Sequence, residues 1–120
     1  MREVITESEK LAKEIARVAS GKKAEDIVIL DMREICSYTD FFIICSGRNS
    51  RQAKAIADEV RVKMKAAGAS LLRVEGEQRA DWILMDFLDV VVHIFTPESR
   101  DFYRLEVLWK DAERIEAVNA

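Results

Sequence analysis

Asp81-Trp82-Ile83-Leu84-Met85-Asp86-Phe87-Leu88-Asp89-Val90-Val91-Val92-His93-Ile94-Phe95 is the stretch whose reading decides the fold. Two apolar runs, 82–87 and 90–95, are separated only by Leu88-Asp89. Runs of this length and composition, broken by two residues, read as a β-hairpin. An even-length turn sets Phe87 opposite Val90, Met85 opposite Val92 and Ile83 opposite Ile94. Side chains alternate across a strand, so these six share one face, which is wholly apolar and is predicted to be core. The other face carries Trp82, Leu84, Asp86, Val91, His93 and Phe95, mixing aromatic, aliphatic and ionisable groups. An odd turn length would scramble the two faces.

On the C-terminal side, Thr96-Pro97-Glu98 reads as a helix start: a capping threonine, proline at the first helical position, and an acid near the positive end of the helix dipole. Phe102, Leu105, Trp109 and Ala112 are predicted to line the buried face of the helix that follows, with Tyr103 offset toward the surface. On the N-terminal side, residues 71–75 read as a strand reached from residues 41–45 by a right-handed parallel crossover. The crossover helix begins at Gly47-Arg48-Asn49-Ser50, capped by Asn49 with Gln52 or by Ser50. Ala53, Ile56, Ala57, Val60, Met64 and Ala67 form its apolar stripe, and Gly68 ends it. The continuous apolar run 41–45 implies burial on both faces. It is predicted to pair antiparallel with a strand at 27–32, because the polar connection 33–40 is too short for a crossover helix. A first helix over 7–20 opens on the capping-box pattern Thr6-Glu7-Ser8-Glu9 and closes at Gly21. The order is α-β-β-α-β-β-β-α: a mixed α/β (α+β) single domain over 1–120, core about 7–116, with a five-stranded mixed sheet.

Composition excludes several function classes. The chain has 120 residues, 22 acidic and 19 basic, for a net charge of −3. A protein gripping nucleic acid through phosphates normally carries a basic excess on one face. Here cations and acids interleave almost everywhere, so direct nucleic-acid binding is not expected as the main contact and a protein partner fits better. The single histidine and two cysteines, Cys36 and Cys45, match no metal-ligand spacing, so no metal or other cofactor is expected. Cys45 reads as a reduced thiol inside a strand. No apolar run could cross a bilayer and no signal segment is visible, so the expected location is the cytoplasm, with no membrane contact.

The ordered set of motifs resembles the Iojap-like ribosomal silencing factors. It comprises Glu75-Gly76-Glu77, 81–86, 89–95 and 100–109, with Asp26-Ile27, Leu30-Asp31, 39–44 and Gly47 through Ser50-Arg51 upstream. The resemblance covers about 11–112. It implies a nucleotidyltransferase-like fold without transferase activity, and hence a binding protein rather than an enzyme. It also implies a partner, the large ribosomal subunit through ribosomal protein uL fourteen. Bound there, the family blocks association with the small subunit and represses translation under nutrient stress. The expected contact residues are Trp82, Leu84, Asp86, Phe87, Leu88, His93, Phe95 and Tyr103. One departure from the family is Leu88, where glycine is usual. Glycine supplies a positive φ that leucine adopts only at a cost, so a longer or open turn is expected. An exposed Leu88 either adds to the contact or shields the hairpin end.

Rival readings remain at this stage. Trp82 is either a partner anchor or an edge-of-core residue, and the resemblance favours the first. Asp86 and His93 lie diagonally across the hairpin and read as a structural or interface pair, since no nucleophile accompanies them. The Gly47 turn resembles an anion site but reads as an ordinary helix cap. The alternative function is a metal-dependent nucleotidyltransferase. The expected oligomeric state is monomer or homodimer.

Overall fold

A computed structural model describes residues 6–115; the end of the predicted core, at 116, lies outside the described residues. The first helix, α1 (Glu7–Gly21), starts where Thr6 accepts a hydrogen bond from the Glu9 N–H at 3.2 Å. Gly21 is still helical, and the left-handed residue falls at Lys23 (φ 64°). β1 (Glu25–Asp31) and β2 (Phe41–Ser46) pair antiparallel, as expected. All six residues of β2 are buried, because it lies inside the sheet with helices on both sides. α2 (Ser50–Ala66) is capped by Asn49, whose side chain accepts from the Gln52 N–H at 2.9 Å.

The remaining elements are β3 (Arg73–Glu75), β4 (Trp82–Asp86), β5 (Val90–Phe95), α3 (Pro97–Tyr103), α4 (Leu105–Leu108) and β6 (Glu113–Ile115). The sheet order is β3-β4-β5-β2-β1-β6, with β2 and β5 parallel and the other neighbours antiparallel. β3 therefore runs parallel to β2, as the crossover requires, but β4 and β5 lie between them.

Two expectations are corrected. The sheet has six strands, not five: residues 113–115 add an edge strand to β1, with Arg114 beside Leu30. The C-terminal helix is also not continuous. Arg104 adopts a left-handed conformation (φ 49°), which ends α3 and starts α4 in a new direction. Phe102, placed on the buried stripe of one long helix, is consequently 79% exposed, while Leu105 and Ala112 are buried.

The core has two layers. Ile83, Met85, Phe87, Val90, Val92 and Ile94 all lie in the larger one, against Ile15, Ala16, Ile56, Val60 and Met64 of α1 and α2. This is the face assigned from the even-length turn, and the register agrees: Ile83 is paired with Ile94 and Met85 with Val92. The smaller layer, on the other side of the sheet, joins Leu30, Met32, Phe42, Ile44, Val91 and Phe95 to Leu105, with Trp82, Leu84 and Trp109 at its margin.

Candidate interaction face

The β4–β5 turn is tight, not open. The Phe87 N–H donates to the Val90 carbonyl at 2.9 Å, and the Asp89 N–H reaches back to the Phe87 carbonyl at 3.0 Å. That second bond closes a three-residue γ-turn with Leu88 at its centre, at φ 75°. A left-handed leucine costs roughly 1–2 kcal/mol. Asp86 offsets part of this, because its carboxylate accepts from the Leu88 N–H at 2.8 Å. The turn is also tied to the next strand, since the Asp89 carbonyl accepts from the Asp40 and Phe41 N–H groups. The outcome is a rigid hairpin tip presenting a 58% exposed leucine.

Among the described residues, the side of the sheet opposite α1 and α2 is covered by the short α3 and α4 and the segment after them. This leaves Leu84, Asp86 and Trp82 half-buried along β4. Around them lie the exposed Leu72, whose N–H donates to the Asp86 carbonyl, Leu88 beyond Asp86, and Tyr103 against the Trp82 ring, with Phe102 edge-on to Tyr103. Three of the eight expected contact residues are closed to a partner in this structure. Phe87 packs into the larger core, Phe95 is fully buried beneath the aromatic rings of Trp82 and Tyr103, and His93 is 4% exposed. The other five, Trp82, Leu84, Asp86, Leu88 and Tyr103, share this margin.

Asp86 and His93 are not partners. Asp86 serves the Leu88 turn and faces the Arg73 guanidinium at 3.6 Å. His93 Nδ1 instead accepts from the Trp82 indole N–H at 3.1 Å, so the neutral ring carries its proton on Nε2. Nε2 has no hydrogen-bond partner among the described residues. Burial among Phe42, Trp82 and Phe95 pushes the His93 pKa down to about 4. Protonation would also turn Nδ1 into a donor facing a donor. A depressed folded pKa contributes stability that is fully present above about pH 6.5, the unfolded value, and is lost as pH falls toward 4. Stability should therefore decline between pH 6.5 and 5, above the range where most carboxylates titrate. Denaturant midpoints across that window should fall for the wild type and stay flatter for His93→Phe; parallel curves would remove His93 as the cause.

Elsewhere the chemistry is quiet. The Gly47 turn is a cap: the Gly47 N–H donates to the Phe95 carbonyl and the Arg48 N–H to Gln52 Oε1, so neither is free to cradle an anion. A Cβ at Gly47 would stand 2.6 Å from the Ala53 nitrogen, so glycine is needed for close approach. A groove of about 690 Å³ opens at the carboxyl ends of β2 and β5, but its Arg100 and Arg104 are already paired with Glu106 and Asp101. Arg100 also donates to Ser46 Oγ at 2.9 Å, fastening α3 to β2. Burial pushes the Glu106 carboxyl up, but the hydrogen bonds to it and the Arg100 charge outweigh this and leave it below its ordinary range. Cys45 is buried, which pushes its thiol up to about 12, as an inert strand thiol should be. No helix among the described residues is long and apolar enough to cross a membrane.

The family described as "Ribosomal silencing factor during starvation" matches residues 5–120. The chain belongs to the ribosomal silencing factor family. Bacterial members include those of Bacillus subtilis, 42% identical over 81% of this chain and 82% of the relative, and Chromobacterium violaceum, 40% identical over 97% and 93%. The family extends to the chloroplastic Iojap protein of Arabidopsis thaliana, 36% identical over 92% of this chain and 46% of that longer protein. A crystal structure of a Chromobacterium violaceum protein superposes with a TM-score of 0.80 at 38% identity, covering 98% of this chain and 96% of the other. The Iojap-like resemblance read from the motifs is therefore correct.

Proposed function

We propose that this silencing factor binds the large ribosomal subunit through ribosomal protein uL fourteen, sterically blocks joining of the small subunit and so represses translation in the cytoplasm. Family membership over nearly the whole chain supports the ribosomal role. The observation that carries the contact is the rigid hairpin tip, where a strained, exposed leucine stands beside a half-open apolar margin. Strain at an exposed position persists only where surrounding structure over-determines it, and such positions concentrate at functional surfaces. Large apolar side chains rimmed by polar ones mark protein contacts. Trp82, Leu84, Asp86, Leu88 and Tyr103 make the contact; Phe87, His93 and Phe95 support it from behind. The mechanism is occlusion, on a nucleotidyltransferase-like scaffold used without its chemistry.

The alternative, a metal-dependent nucleotidyltransferase, has no observation in its favour. Its nearest candidate carboxylates, Glu75 and Glu77, are engaged by Arg73 and Arg61. Among the described residues no cluster of three or more candidate ligands forms.

Co-sedimentation with purified subunits tests the proposal. The protein should pellet with large and not with small subunits, and the reverse result would sink it. Leu88→Gly refines the test because its two effects have opposite signs. Glycine adopts the positive φ freely, so stability should rise by about 1 kcal/mol. Loss of the exposed side chain should weaken large-subunit binding. Unchanged binding would assign Leu88 to shielding the hairpin end.

A further inference from the structure

The interleaving of charges fails at one corner of the molecule. Acids make up 22 of 120 residues, yet none occurs in 15–24 or in 41–57. The fold brings the charged ends of these segments together. The Gln52 amide, one turn into α2, donates to the Lys22 and Lys23 carbonyls at 3.2 Å, and its oxygen accepts from Arg48 Nε at 3.1 Å. Lys22, Lys23, Arg48, Arg51 and Lys54 are all exposed, and none has a carboxylate within 4.0 Å among the described residues. By contrast, Lys10, Lys13, Arg17, Arg61 and Lys63 on the same two helices each pair with an acid. The acids that follow in sequence, Glu25 and Asp26, line the groove on the α3–α4 side with Ser46 and Arg100. The first acid in α2, Asp58, is a full turn beyond Lys54 and pairs with Arg61.

We infer that this corner is a second contact surface, for the phosphate backbone of ribosomal RNA. The inference rests on the large-subunit reading above and adds a partner to it. Five long cations without internal counter-charges are left for an external anion. In the adjacent turn the Gly47 and Arg48 N–H groups are committed to Phe95 and Gln52, so the five side chains rather than that backbone would meet the anion. Cations spread over two helix ends suit an extended polyanion, which is held through its backbone without sequence reading. The corner lies at the carboxyl end of β2, whereas Leu88 precedes the amino end of β5, which runs parallel to β2. The two surfaces are thus about a strand length apart, roughly 20 Å. Protein contact would set position, and phosphate contact would add affinity and orientation.

The test is the salt dependence of binding to large subunits, wild type against Lys23→Glu/Arg51→Glu/Lys54→Glu, whose side chains make no hydrogen bond among those described. Each lost phosphate contact lowers the steepness of log K against log salt by about 1, so the triple variant should be shallower by about 3. Over a fourfold rise in salt this is on the order of a 50-fold smaller loss of affinity. The same variant should lose the wild type's weak binding to mixed-sequence duplex RNA and keep its affinity for isolated uL fourteen. Wild-type affinity and slope in the variant would overturn the RNA surface while leaving large-subunit docking intact. A matching loss against isolated uL fourteen would overturn it too, by assigning the corner to protein. If the wild type does not bind large subunits at all, docking fails, and the duplex-RNA comparison alone decides the corner: a loss in the variant supports it, and no difference overturns it.

Discussion

Gly76→Ala should be among the most destabilising single substitutions in this protein, lowering the unfolding free energy by more than about 3 kcal/mol. Gly76 sits at φ 84°, where any side chain is strained. A Cβ there would also overlap the backbone carbonyl oxygen of Trp82, and backbone cannot rotate away as a side chain can. The residue closes the loop into β4: its carbonyl accepts from the Ala80 N–H at 2.9 Å, with Ala80 itself left-handed at φ 57°. Displacing Trp82 to relieve the clash would move the start of β4 and disturb its pairing with Phe95. Urea titration should show a lower midpoint at unchanged slope. A midpoint within error of wild type would mean that the loop re-folds cheaply and that the tight approach is incidental.

Trp82→Ala is expected to have the second largest effect, and it should act twice. Truncating an interface tryptophan typically costs about 2–4 kcal/mol of binding, or roughly 30- to 1000-fold in Kd. The sequence leaves Trp82 as either a partner anchor or an edge-of-core residue, with the family resemblance favouring the anchor. The structure shows it also packed against β5 and α3 of its own chain. Its ring lies tilted against those of Phe95 and Tyr103, at 5.1 and 4.5 Å between ring centroids, and its N–H donates to His93. Removing it orphans His93 Nδ1 in addition to Nε2, so stability should fall as well. Trp82→Phe separates the roles: it keeps most of the apolar area but deletes the N–H. A folded Trp82→Ala protein that binds large subunits with wild-type affinity would remove Trp82 from the contact.

The hairpin was legible because its information is local. Two apolar runs two residues apart admit few registers, and burial of Ile83, Met85, Val92 and Ile94 selects one. The helix starts at Thr6 and Asn49 were legible for the same reason, since each cap is read within four residues. The sixth strand was not. Glu113-Arg114-Ile115 has no pattern of its own and is a strand only because β1 offers it an edge. Phe102 was misplaced because an apolar periodicity assumes a continuous helix, and nothing about Arg104 announces a left-handed residue.

The candidate site was legible in part. Which residues share the second face of the hairpin follows from alternation, but how far that face is covered depends on α3 and α4. Their packing buries Phe95 and His93 and leaves Leu84 and Leu88 accessible. The turn at Leu88 shows the limit of a residue preference. Leucine disfavours positive φ by an amount that four backbone hydrogen bonds and the Asp86 carboxylate can override. The cationic corner was not legible because its halves lie some 25 residues apart in sequence and are brought together by the β1–β2 pairing and by Gln52.

The central claim is that a bound protein occupies the place where the small subunit must dock. The most direct measurement is light scattering during subunit mixing at subunit-joining magnesium concentration, with the large subunits first saturated by this protein. The amplitude of subunit joining should fall in step with large-subunit occupancy. The folded Leu88→Gly variant should inhibit only at concentrations raised by its loss of affinity. Normal joining while co-sedimentation shows the protein still on the large subunit would contradict the account.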